Sequence, residues 1–82
     1  MPRTKEDRQM KPAEIEELLR LKAWSRRELG AALDLSENIV HRWISGERTP
    51  GGPASILMRM WLNQARIEES KRLARLLESQ PA

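Results

Sequence analysis

Three residues, Asp34-Leu35-Ser36, separate two segments whose apolar positions recur at helical spacing, and so short a spacer leaves room only for a tight turn between two helices. The first segment opens with Ser25-Arg26-Arg27-Glu28, the pattern of a capping box. In it the serine hydroxyl takes a free backbone N–H and the glutamate three residues on reaches back. A helix follows with Leu29, Ala32 and Leu33 inward. After the spacer, Ser36 is placed to cap a helix from Glu37 to about Ser45, and Gly46 can take the left-handed conformation that closes it. Gly30 with Ala31 supplies the small residues that a close crossing of the two helices needs. Leu29, Leu33, Leu35, Val40 and Trp43 have the spacing of inward anchors.

Around this unit the chain divides simply. Residues 1–11 form a basic flexible tail, with Arg3, Lys5, Arg8 and Lys11 against Glu6 and Asp7. Pro12 suits a first helical turn, and Ile15, Leu18, Leu19 and Lys22 fall at helical spacing, so a helix runs to about Lys22. Glu14, Glu16 and Glu17 resemble a carboxylate cluster, but compensation of the helix dipole accounts for them. Trp24, just before the cap, fits a hydrophobic staple. Glu47 to Gly52 reads as a loop and Pro53 as the restart of a helix. Beyond it Ala54, Ile56, Leu57, Met60, Trp61 and Leu62 make one apolar face, and Leu73, Leu76 and Leu77 another. Asn63 to Ser70 between them is mostly polar, so the stretch is one long helix or two. The pattern favours a break near Ala65, giving a domain over 12–65 and a C-terminal helix within 66–82 for pairing or partner binding.

Composition narrows the function. In 82 residues there is room for one small domain, and without cysteine there is neither a disulfide nor a thiolate zinc site. No apolar run is long enough to span a bilayer and Met1 to Gln9 is no secretory core, so a cytoplasmic protein without membrane association is expected. His41 is the single histidine, with no second histidine one turn on and no glycine-rich phosphate loop elsewhere. Enzymatic activity, a metal and a cofactor are therefore not expected. The net charge of +3 agrees with a polyanion partner and equally with ordinary solvated faces. Trp43 and Trp61 read as core anchors, since stacking platforms for single strands need exposed aromatics interleaved with basic residues.

What faces outward at the start of the second helix of the unit is Glu37, Asn38, His41 and Arg42. Arginine can donate two bonds to guanine, asparagine can pair with adenine's donor and acceptor, and glutamate can accept from cytosine. The plainer alternative has Arg42 paired with Asn38 or Glu47 on a solvated face. For His41 the plainer alternative is a phosphate or surface contact.

The stretch from Ser25 to Gly46, with its capping box, small residues, tight turn and Val40/Trp43 anchors, resembles the Cro/C1-type (XRE-like) helix-turn-helix family, and Glu47-Arg48-Thr49-Pro50 looks like the loop that follows the recognition helix there. The resemblance covers roughly residues 12–63. It implies an all-α, four to five helix, lambda-repressor-like DNA-binding domain with the second helix of the unit in the major groove. It further implies phosphate contacts at Arg26, Ser36, Arg48 and Thr49 and base contacts at Glu37, Asn38, His41 and Arg42, with Ile39 near a thymine methyl. Two departures stand out: Asp34, where the family favours a left-handed glycine, and Ile44, where it favours a polar residue. Asp tolerates the left-handed conformation better than most residues. The function implied is a small autoregulating repressor, acting as a homodimer on an inverted-repeat operator in double-stranded DNA. Alternatives within the same resemblance are an antitoxin that binds a toxin through its C-terminal helix and a phage anti-CRISPR-associated autorepressor. The expected dimer surface combines Ile44 with Met58, Trp61 and Leu62 and the Leu73/Leu76/Leu77 face.

Overall fold

The computed structural model describes residues 9–79. Of the expected basic tail, only Gln9, Met10 and Lys11 fall among them. Four helices follow one another: α1 (Pro12–Lys22), α2 (Arg26–Ala32), α3 (Glu37–Ser45) and α4 (Gly52–Ser79), with no strand among the described residues. No helix among these residues is long and apolar enough to cross a membrane.

The first three helices begin and end where local chemistry dictates. Lys11 precedes α1 in an extended conformation, and its N–H donates to the Glu14 carboxylate at 3.0 Å. Ala23 closes α1 with a φ of 56°, a left-handed cap without glycine. Gly46 closes α3 at φ 83°, as its sequence position suggested.

One core holds these elements together. Met10, Ile15, Leu18, Leu29, Val40, Trp43, Met58 and Leu62 form a single buried cluster, with α1 packed on α4 and α3, and α2 packed on α3. Met10, expected in the tail, is 1% exposed: its N–H donates to the buried Ser55 hydroxyl at 3.3 Å, and that hydroxyl donates to the Pro50 carbonyl at 3.4 Å. The domain therefore starts before Pro12.

The expected break near Ala65 is absent, and α4 runs for 28 residues, about 42 Å at 1.5 Å per residue. No glycine or proline follows Pro53 before Ser79, so nothing stops the backbone. The polar middle is held from outside, where Arg66 forms two 2.8 Å bonds to Glu17 of α1.

Several inward assignments also change. Leu29, Val40 and Trp43 are core residues as expected, whereas Leu33 is only half-buried, Ala32 is exposed and Leu35 is 37% exposed. α2 ends at Ala32 with Leu33 as its cap, and beyond it the chain leaves the 3.6-residue period on which the Leu35 assignment rested. Met58 and Leu62 are fully buried in the core, and Ile44 and Trp61 pack half-buried against it. The expected dimer surface thus loses its central residues. Trp24 meets Trp61 edge to face, with ring centroids 5.5 Å apart, and Lys22 Nζ lies 5.4 Å from the Trp24 ring centre. That contact fastens the end of α1 to the middle of α4.

Candidate nucleic-acid interface

Two short helices and the turn between them set the candidate surface. The Glu28 N–H donates to the Ser25 hydroxyl at 3.1 Å, and the Ser25 N–H donates to the Glu28 carboxylate at 3.2 Å, so the start of α2 is closed in both directions. At its other end the Leu35 N–H donates to the Gly30 carbonyl at 2.7 Å, and Asp34 takes a φ of 59°. The resulting turn folds back tightly over α2. A Cβ on Gly30 would stand 2.9 Å from the Leu35 carbonyl oxygen and 3.2 Å from that of Ser36, both backbone atoms. The small residue is therefore required by the turn itself, and Ala31, expected to share the role, is exposed.

Val40 and Trp43 anchor α3 in the core, and the residues left outside are those with polar heads. Glu37, Asn38, His41 and Arg42 are all exposed, at positions that form one continuous strip along the helix. Ile39 is half-buried against the core, so it does not stand out with them as expected of a thymine-methyl contact. Ser36 is exposed and makes no side-chain capping bond to α3, in contrast to the role its position suggested.

Arg26, at the first position of α2, reaches across to α3, where its guanidinium lies 2.7 Å from His41 Nδ1. Guanidinium has only donors, so in this hydrogen bond Arg26 donates and the ring nitrogen accepts. Arg26, His41, Arg42 and Glu47 together line a shallow depression of about 300 Å³. Sequence spacing put Arg26 and His41 in separate roles, and the crossing of α2 over α3 joins them. Arg42 enters no ion pair among the described residues, which removes the pairing with Glu47 as an account of its position.

The loop after α3 returns toward the same strip. The Arg42 carbonyl accepts from the Ser45 hydroxyl and from the Arg48 N–H, each at 3.1 Å. This places Arg48 and Thr49, both exposed, beside the end of α3. Of the eight expected contact residues, Arg26, His41 and Arg42 share one depression, while Glu37, Asn38 and Ser36 extend the surface toward the start of α3.

A separate electrostatic contact was not visible in the sequence. Arg59 Nη1 bonds Glu14 at 3.1 Å and Arg66 chelates Glu17, so two of the three acidic residues of α1 hold α4. The Arg66 hydrogen bonds keep the Glu17 carboxyl below its usual range. No group of His, Cys, Asp or Glu side chains among the described residues could hold a metal ion. No protein-family model matches the chain, and no curated protein or solved structure is significantly similar to it.

Proposed function

We propose that the chain is a sequence-specific, double-stranded DNA-binding transcriptional regulator, a small autoregulating repressor whose α2 and α3 act as a helix-turn-helix. The observation that carries the reading is the exposed strip Glu37, Asn38, His41 and Arg42 on a helix fixed from behind by Val40 and Trp43, with Arg26 and Arg48 at its sides. A helix about 10–12 Å across fits the roughly 12 Å major groove of B-DNA, and the strip's residue types offer both donors and acceptors to base edges. Arg26, Ser36, Arg48 and Thr49 are the assigned phosphate contacts; they set register and carry no sequence information of their own. A single helix covers one half-site, so two copies on an inverted repeat complete the reading, with half-site centres about 10–10.5 base pairs apart or a multiple of that.

Selection of bound duplexes from a random pool is the test. The expected product is an inverted repeat, bound with a log–log salt slope of roughly −5 to −7 if about six to eight phosphates are neutralised. A slope near zero, or no enrichment at low salt, overturns the reading.

A second reading draws on α4, whose residues 66–79 extend past the core with Leu73 and Leu76 about half exposed. In it the same regulator binds a toxin through this segment. Stoichiometric co-purification with the product of an adjacent gene, lost in Leu76→Glu, supports that role, and a solitary protein that binds its operator argues against it.

A further inference from the structure

A side-chain hydrogen bond joins α2 to α3, and it depends on a group that titrates. The Arg26 guanidinium lies 2.7 Å from a ring nitrogen of His41 and can only donate to it, so the ring is neutral while the bond holds. An imidazolium carries N–H donors at both nitrogens and has no acceptor. Protonation therefore breaks the bond and leaves two cations side by side. The shallow depression around the ring sharpens that opposition, because Arg42 is a third cation in its lining and Glu47 is the one carboxylate there. On α3 itself, exposed Glu37 stands one turn before His41. From α2, Arg27 lies outside the depression and the Glu28 carboxylate accepts the Ser25 N–H. Arg48, in the loop after α3, also lies outside it, and neither α1 nor α4 lines it with a charged side chain. Arg26 and His41 are both exposed on the face proposed to meet DNA.

Resting on the DNA reading above, we infer that binding of duplex DNA is coupled to protonation of His41, with the Arg26–His41 bond as the element that is exchanged. In the free chain a positive charge on the ring is opposed by Arg26 and Arg42. A duplex lays phosphates and base acceptors along the same face and reverses that balance: the imidazolium finds acceptors for its donors, and the N–H released by His41 turns to a phosphate. The proton comes from solvent and stays on the ring while the complex lasts. Linkage makes the effect reciprocal, so DNA favours the charged ring and the acid that charges the ring favours DNA. The grip on the operator tightens as pH falls from about 8 to about 6, the range in which an ordinary histidine changes charge. That window isolates the group, because His41 is the single histidine and the chain has no cysteine, while ordinary carboxylates, lysines and arginines keep their charge throughout it.

The test uses the full-length protein and a duplex selected at neutral pH, with affinity read by fluorescence anisotropy at constant ionic strength. Uptake of one proton across about two pH units limits the gain to about 100-fold per copy. One added charge-assisted hydrogen bond per copy corresponds to about 10-fold, which is the tightening expected between about pH 8 and about pH 6. His41→Gln should bind with the same affinity at both pH values, whatever that affinity is, and with the circular dichroism of the wild type, since the position is exposed. In Arg26→Ala the neutral ring loses its donor and the charged ring its nearest opponent, so the gain should shrink to about threefold or less. Affinities equal within about twofold at the two pH values overturn the proposal, as does a dependence that survives His41→Gln or stays undiminished in Arg26→Ala. A duplex bound without pH dependence sinks the coupling and leaves the DNA reading standing; no duplex bound at either pH removes both.

Discussion

Residues 25–46 and residues 66–79 are both helical and mostly solvent-facing, yet they are fixed by opposite means. The first region spends Leu29, Gly30, Val40 and Trp43 on the interior and closes both ends of α2 and the far end of α3 with its own hydrogen bonds. The second buries no residue and is tied to the rest of the molecule by Arg66 and Glu17, with Arg72 and Glu69 paired along its own length. The exposed strip of α3 is thus backed by Val40 and Trp43 in the interior, the fixed register that the proposed reading of base edges needs. The apolar side chains of the second region are left outside instead, with Leu73, Leu76 and Leu77 each at least half exposed.

The largest test of this contrast is a pair of truncations. Trp43→Ala is expected to cost about 3–5 kcal/mol, enough to unfold a domain of this size, whereas Leu76→Ala stays within about 0.5 kcal/mol in urea titration. Equal losses would erase the distinction between the two regions. Next comes Gly30→Ala, which sets a methyl against two backbone carbonyls that cannot move without opening the turn. A cost of about 1–3 kcal/mol is expected in thermal melts, and an unchanged melting temperature would show that the turn is loose.

A third test separates holding from reading. Arg42→Ala should lower affinity for the selected operator by about 1–3 kcal/mol and relax preference at one base pair while stability is unchanged. Arg26→Ala should weaken operator and random duplex alike, because its proposed partner is a phosphate. A change of preferred base in Arg26→Ala would reverse the assignment of the two arginines. The smallest effect concerns Glu17. Its carboxyl is held low in the folded chain, chiefly by hydrogen bonds from Arg66, so its stabilising effect is complete above the usual glutamate range and is lost as pH falls through the depressed folded value. Glu17→Gln should therefore flatten the acid side of the stability curve slightly and leave it unchanged in shape near neutrality; a steeper acid limb in the variant would contradict the pairing.

The two regions also differ in how far they could be read from sequence. The start of α2 and the end of α3 were legible because their signals are local: Ser25 with Glu28, and the closing Gly46. Exposure of Glu37, Asn38, His41 and Arg42 followed from the period of one amphipathic helix. What failed was non-local. Leu35 looked like an anchor, but its N–H is drawn to Gly30 and its side chain is left partly outside. The polar stretch before Ser70 looked like a break because its support, Glu17, lies 49 residues away from Arg66. Met10 looked like tail because its polar partner, Ser55, lies in α4.

That last contact has a kinetic consequence. Pairing α2 with α3 closes a loop of only a few residues, but the Met10 amide meets the Ser55 hydroxyl across 45 residues of sequence, after every other helix has been threaded between them. Loop closure of that length is the slow, entropically costly part of assembling a small helical chain. The Ser55 hydroxyl also holds the Pro50 carbonyl, so the entry of the chain, the loop after α3 and the first turn of α4 meet at one buried side chain. Amide exchange at Met10 should accordingly track global unfolding, while amides at the distal end of α4 exchange through fraying that leaves the clasp shut.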